Sequence, residues 1–236
     1  MTTLTLYELA GAEDDRRFSP YCWRVRLALA HKGLAVEGVP WRFTEKEAIA
    51  FSGQGRVPVL VDRGRAVADS WDIACHLEEA WPDRPSLFGA GASGAAGRAL
   101  SRFYVDWTDM VVHAGLVRMI VADIHGHLHE KDKAYFRESR EARLGGALEA
   151  VCADRDVRVV EFRRGLAPLR ATLKRQPFLG GESPLFADYA VAGAFMWARA
   201  ISPFQLLEAG DPVADWRSRI LARLDETAAG FLAYPC

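Results

Sequence analysis

The chain has 236 residues, half of them hydrophobic, with 30 basic side chains against 31 acidic ones. That length allows a buried core and fits one large domain or two small ones, and a formal net charge of −1 gives no field favouring nucleic acid or an anionic membrane surface. No segment approaches the length of a membrane span, the N-terminus lacks a basic-then-apolar leader, and the four scattered cysteines (Cys22, Cys75, Cys152, Cys236) form no metal or disulfide framework, so a cytoplasmic protein without nucleic-acid, membrane or metal partners is expected.

Residues 4–7 read as a strand. Ser19-Pro20 then opens a helix over residues 20–32, with a hydroxyl at the cap, proline at the first helical position and Gly33 after the end. Cys22, Val25 and Leu29 share one face of it, and Trp23, Leu27 and Ala30 an adjacent one. Residues 36–39 suggest a second strand, followed by a poorly patterned stretch to residue 55. Residues 57–62 form a clear strand, turned by Arg63-Gly64-Arg65 into an antiparallel partner over residues 66–69. Ser70 opens a helix that ends before Trp81-Pro82. This is βαβ followed by ββα, the plan of a thioredoxin-like domain.

Residues 85–94 are rich in proline, glycine and small side chains and read as a linker. Beyond it the pattern is helical. Residues 98–123 form one long predicted helix, with Phe103, Trp107, Met110, Val111 and Ala114 at helical spacing. Further helices are expected over 134–153, interrupted at Gly145-Gly146, and over 157–174, bent at Gly165 and Pro168. Residues 187–201 are almost all apolar and mark the buried centre of this half; residues 211–232 supply a last helix. The predicted organisation is α/β plus all-α: a thioredoxin-like domain over 1–84, a linker over 85–94 and a helical bundle domain over 95–236.

Four motifs in this order resemble the glutathione transferase superfamily. Residues 19–29, Ser-Pro-Tyr-Cys-Trp-Arg-Val-Arg-Leu-Ala-Leu, are similar to the catalytic helix of its serine-type classes, zeta among them. Val57-Pro58 matches the family's cis-proline, Asp69-Ser70 its acidic-serine pair, and Phe186-Ala187-Asp188 the start of its central C-terminal helix. Within the superfamily the nearest likeness is to the bacterial glutathione-dependent β-etherases, through Ser19-Pro20-Tyr21, Trp23-Arg24, Arg56-Val57-Pro58-Val59, Asp69-Ser70-Trp71, residues 135–141, Leu144-Gly145-Gly146 and Phe178-Leu179-Gly180-Gly181. The resemblance implies glutathione as co-substrate, a small hydrophobic electrophile as second substrate (an aryl ether if the β-etherase likeness extends to function) and a homodimer.

Each motif also has a physical rationale. A free thiol with a pKa of about 8.5 is only a few per cent ionised at pH 7, and lowering it by about two units raises the nucleophilic thiolate roughly 25-fold. A hydroxyl donor supplies roughly 1.5–3 kcal/mol toward that, and the helix dipole adds a smaller term of the same sign. Ser19 is the candidate donor; its simpler role is to cap the helix. Val57, before Pro58, can offer its N–H and C=O to the cysteinyl backbone of glutathione as a short added strand. Ser70 and neighbouring N–H groups suit the γ-glutamyl carboxylate, and Asp69 the α-amino group; a plain capping pair is the alternative. Arg56 is a candidate for the other carboxylate.

Ser-Pro-Tyr-Cys also resembles the Cys-Pro-Tyr-Cys of glutaredoxins with the attacking cysteine replaced. A thiol–disulfide oxidoreductase through Cys22 is therefore one alternative, though a buried structural thiol fits its place on the apolar stripe better. A glutathione- or partner-binding protein without turnover is another. Tyr104, Trp107, Met110 and His113 are candidate second-substrate contacts. His125, His127 and His129 alternate on a polar connection without a further ligand, which suits a solvated loop better than a metal site. The loop over residues 8–18 is expected either to cover the site or to be mobile. The family's central C-terminal helix opens with Ser or Thr three residues before the aspartate; Leu185 stands there here, so half of the capping box is missing.

Overall fold

The computed structural model describes residues 4–223 and 230–235. Strand β1 (Leu4–Leu9) leads to α1 (Pro20–His31) and β2 (Val36–Trp41); a 3₁₀ segment (Lys46–Ser52) precedes β3 (Val59–Asp62), β4 (Arg65–Ala68) and α2 (Ser70–Ala80). The sheet order is β2-β1-β3-β4, with β2 parallel to β1 and the other pairs antiparallel. Leu6 faces both Gly38 and Leu60 in register. Gly38 has to be glycine, because a Cβ there would lie 2.2 Å from the Arg26 guanidinium and 2.8 Å from the Glu8 carboxylate. The thioredoxin-like plan is thus present in full, with the poorly patterned stretch after β2 partly 3₁₀.

The helical half comprises α3 (Gly94–Trp107), a π turn (Thr108–Val112), α4 (His113–Gly126), α5 (Glu130–Leu144), α6 (Leu148–Cys152), α7 (Arg155–Gly165), α8 (Ala167–Leu173), α9 (Phe186–Ile201) and α10 (Pro212–Ala222). The expected interruption at Gly145-Gly146 separates α5 from α6, and the bend near Gly165 and Pro168 separates α7 from α8. Two expectations need correction. The long helix after the linker is broken in phase by the π turn. The last helix ends at Ala222, and residues 230–235 are not helical; residues 224–229 of that prediction lie outside the described residues, as does Cys236.

α9 is buried along almost its whole length and forms the core of this half. Asp188 is fully buried in its first turn. Its carboxylate accepts N–H bonds from Leu179 (2.7 Å), Gly180 (3.0 Å), Leu185 (3.0 Å) and the Trp216 indole (2.8 Å). Leu185 has no side-chain acceptor, so the aspartate alone closes this helix start.

The halves meet through α1 and α9. A Cβ at Gly193 of α9 would sit 2.4 Å from the Pro20 carbonyl oxygen, so only glycine permits the approach. At the far end of α1, His31 Nε2 donates to the Ser86 carbonyl (3.0 Å), which leaves Nδ1 to accept from the Tyr189 hydroxyl (2.7 Å). The connecting segment is anchored too. Leu87 and Phe88 are buried, the Leu87 carbonyl accepts from Phe186 N–H at 2.8 Å, and Phe88 packs between the Trp71 and Phe186 rings.

Candidate active site

A cavity of about 870 Å³ opens between the sheet domain and helices α4, α5 and α9. Ser19, Arg56 and Val57 line it from the sheet side, and His113 from α4. Ser19 is the N-cap of α1 in extended conformation, and its Oγ accepts from Cys22 N–H at 3.3 Å. A hydroxyl that accepts through one lone pair still has its proton to donate. The Val57–Pro58 bond is cis. Among the described residues, neither the N–H nor the C=O of Val57 has a hydrogen-bond partner, which leaves a free backbone edge on the cavity wall beside Arg56.

Pro58 is buried behind Val57 and does not line the cavity; Asp69 and Ser70 lie outside its lining as well. Asp69 holds φ 75° and ψ 135°, a conformation that costs a non-glycine residue about 1–3 kcal/mol. Its Oδ1 accepts from Trp71 N–H (2.8 Å) and Asp72 N–H (3.3 Å), capping α2, while Oδ2 takes part in neither bond. Ser70 is buried in the first turn of α2.

Of the four candidate second-substrate contacts, only His113 lines the cavity; Tyr104, Trp107 and Met110 do not. The π turn bears on Met110; Tyr104, nine residues before His113, lies on the opposite face of even a regular helix. One extra residue in the ladder offsets the faces before and after it by about 100°. Asp109, His113, Ala114, Val117 and Arg118 therefore face the cavity, while Phe103 and Met110 are turned outward, 64% and 75% exposed. Sequence reasoning also missed Phe43, Trp197, Arg118, Arg140 and Arg143, which complete the walls. Arg140 did carry a signal: its i−4 and i+4 neighbours on α5 are Phe136 and Leu144, the setting of a cation that faces an apolar space.

Beneath the cavity Arg24 of α1 is fully buried, paired with Asp109 of the π turn and bonded to the Ala190 carbonyl of α9 at 3.3 Å. Its guanidinium lies 4.9 Å from the Tyr21 ring centroid, and the Tyr21 and Trp197 rings meet His113 edge-on at 5.3 and 5.6 Å. Burial and the nearby Arg24 charge push His113 down to about 3, so it is a neutral imidazole at physiological pH. Burial, then the Asp109 charge, raises Tyr21.

Cys22 is buried, and burial together with the Glu8 charge pushes its thiol up to about 12. Such a thiol is not an attacking nucleophile, which removes the basis for disulfide exchange through it. The histidines over 125–129 are dispersed: His127 meets the Tyr234 hydroxyl at 3.1 Å and His129 caps α5 through Lys131 N–H. Among the described residues no three His, Cys, Asp or Glu side chains are placed to hold a metal ion, and no helix is long and apolar enough to cross a membrane. Of the loop over residues 8–18, only Leu9 and Phe18 line the cavity. Ala10 bridges to Arg17, Ala12 N–H donates to the His127 carbonyl at 2.8 Å, and residues 10–17 are absent from the lining.

A thioredoxin-like sheet joined to a helical domain, with a cavity between them, defines the fold class of the chain. Family models described as glutathione S-transferase N-terminal and C-terminal domains match residues 18–80 and 99–227. The chain belongs to the glutathione S-transferase superfamily. A probable glutathione S-transferase GSTU6 of Oryza sativa subsp. japonica is 27% identical over 216 residues, covering 86% of this chain and 81% of that protein. A probable GSTU1 of Oryza sativa subsp. indica is 28% identical over 223 residues, 89% and 84% of the two chains. Among solved structures, glutathione transferase GSTFuA3 from Phanerochaete chrysosporium superposes with a TM-score of 0.82 at 24% identity, covering 94% and 97% of the chains. The glutathione S-transferase CsGST63524 of Ceriporiopsis subvermispora, solved in complex with glutathione, gives 0.77 at 20% identity and 99% of both. These relatives carry the superfamily and not the β-etherase likeness.

Proposed function

We propose that the chain is a serine-type glutathione transferase. Glutathione extends along the sheet side of the cavity, its cysteinyl backbone paired with Val57 next to the cis-Pro58. Arg56 meets its glycyl carboxylate, while Ser70 and the free Asp69 oxygen meet the γ-glutamyl end. Ser19 Oγ–H donates to the sulfur and holds it as thiolate. The thiolate attacks an electrophilic carbon of a second substrate seated among the aromatic rings of the cavity. A carbon–sulfur bond forms, and the bond to the leaving group breaks with its electron pair. A carbon that bears an aryloxy group beside a ketone is one electrophile this chemistry fits, with phenolate leaving.

The observation that carries the reading is the shared wall: a helix-capping hydroxyl and a free backbone edge line one cavity. Ultraviolet titration of bound glutathione tests it. The thiolate band should titrate one to two pH units below that of free glutathione and return toward it in Ser19→Ala. An unshifted titration in the parent protein leaves glutathione binding without activation, the behaviour of a non-catalytic member. The proposal extends to a cytoplasmic homodimer. Leu100, Phe103, Met110 and Val111 expose an apolar face on α3 and the π turn, and sedimentation should show a dimer that Met110→Glu weakens.

A further inference from the structure

The cavity is aromatic, and it is also basic. Lys46, Arg56, Arg118, Arg140 and Arg143 line it, against one carboxylate, Asp109, which is already paired with Arg24. Among the described residues none of these five cations has a carboxylate within 4 Å, although eighteen Lys or Arg pairs with a carboxylate occur elsewhere among them. Arg140 is the centre of the cluster. Its guanidinium lies over the Phe136 and Phe43 rings at 4.8 and 5.2 Å, and its Nη1 donates to Ser139 Oγ at 2.9 Å. Lys46 covers the Tyr135 ring at 5.6 Å. Burial, then the nearby Arg143 and Arg56 charges, makes Arg140 easier to deprotonate, a repulsion that an anion between them would relieve.

Glutathione brings one carboxylate to this side of the site, and the proposed function assigns Arg56 to it. Cations held on aromatic faces beyond that point favour a planar ring that carries its own negative charge. We infer that the second substrate is an anionic aromatic electrophile, a carboxylate- or sulfonate-bearing arene, whose charge is held by Arg140 with Arg143 while its ring packs among Phe43, Phe136 and Tyr135. This rests on the transferase reading and adds the class of substrate to it.

The test pairs 4-chloro-3,5-dinitrobenzoate with its methyl ester. In each, glutathione sulfur bonds to the ring carbon that bears chlorine and chloride leaves with the bonding electrons. Rates are taken relative to the uncatalysed reaction with glutathione. The acid should be favoured by about tenfold or more in kcat/KM over the ester, and the preference should shrink with added salt. Arg140→Gln, which keeps the stem over the rings, and the exposed Arg143→Gln should each lower the acid-to-ester ratio severalfold.

An acid-to-ester ratio near one overturns the inference, as does a ratio that neither variant moves. A raised KM for glutathione in both variants with an unchanged ratio assigns the cluster to the glycyl carboxylate, and again the inference fails. If neither compound is turned over, the transferase reading fails separately. Quenching of the protein's tryptophan fluorescence (Trp41 and Trp197 line the cavity) then decides the charge preference: tighter binding of the acid than of the ester upholds it, and equal binding overturns it.

Discussion

Asp109→Ala isolates the contact that ties α1 to the helical domain beneath the cavity. In the parent protein the Arg24 side chain is wholly inaccessible while Asp109 is one-third exposed. Removing the carboxylate leaves a buried guanidinium whose only other hydrogen bond goes to the Ala190 carbonyl, and its Nη1 is already unpartnered. Breaking an enclosed pair costs roughly 3–5 kcal/mol. Water already reaches Asp109 and can follow into the space it vacates, so about 2–3 kcal/mol is expected, a drop of roughly 5–10 °C in Tm for a chain of this size. Urea unfolding measures it, alongside Arg24→Met and the double variant Arg24→Met/Asp109→Leu. The double variant should lie within about 1 kcal/mol of the parent, because a desolvated pair is replaced by apolar contact. An Asp109→Ala variant within about 0.5 kcal/mol of the parent, or a double variant no better than the single, would falsify the view that this pair has to be kept or lost together.

Gly193→Ala should destabilise by about 1–3 kcal/mol and lower activity with it, because the new methyl meets the Pro20 carbonyl next to Ser19; thermal melting and a conjugation assay check both. Asp188→Ala leaves four N–H groups without their acceptor and should cost at least about 3 kcal/mol, read as a urea midpoint, whereas Leu185→Ser should raise it by completing the capping box. His113 is held at about 3 in the folded state against about 6.5 unfolded. The unfolded chain therefore takes up a proton that the folded one refuses, and this contribution to stability is complete above about pH 6.5 and lost as pH falls toward 3. Between pH 7 and pH 5 the parent should lose about 2 kcal/mol that His113→Gln does not lose.

The elements were legible where local signals agree: Ser19-Pro20 and Gly33 around α1, the apolar run of α9, and the glycines that separate α5 from α6. The cavity was legible at Ser19, Arg56 and Val57 on its sheet side and at His113 alone on its helical side. Its helical side depends on the phase of α3 and α4. A π turn shifts that phase without any proline or glycine to announce it, since Thr108–Val112 is an ordinary helical sequence. Met110 was placed on the wrong face for that reason, whereas Tyr104 lies opposite His113 even on a regular helix. The composition of residues 85–94 gives no sign of the contacts that Leu87 and Phe88 make, which only tertiary structure reveals.

The charges of α1 carry the same lesson further. Arg24 and Arg26 lie on nearly opposite faces of α1 and Lys32 at its C-cap, and all three are buried. Each points to a different neighbour. Arg24 reaches Asp109 on the helical domain, Arg26 reaches Glu8 on β1, and Lys32 reaches Glu78 on α2 at 2.8 Å and the Trp81 carbonyl at 3.2 Å. Arg17, just before the helix, reaches the same Glu8 at 3.1 Å, and its carbonyl accepts from the Trp23 indole at 2.9 Å. Ser19 lies between these last two ties. Burying so many ions is a poor route to stability on its own, but it fixes the helix in direction, rotation and depth at once. The hydrogen bond proposed between Ser19 and the glutathione sulfur needs all three, and a purely apolar interface would fix rotation least.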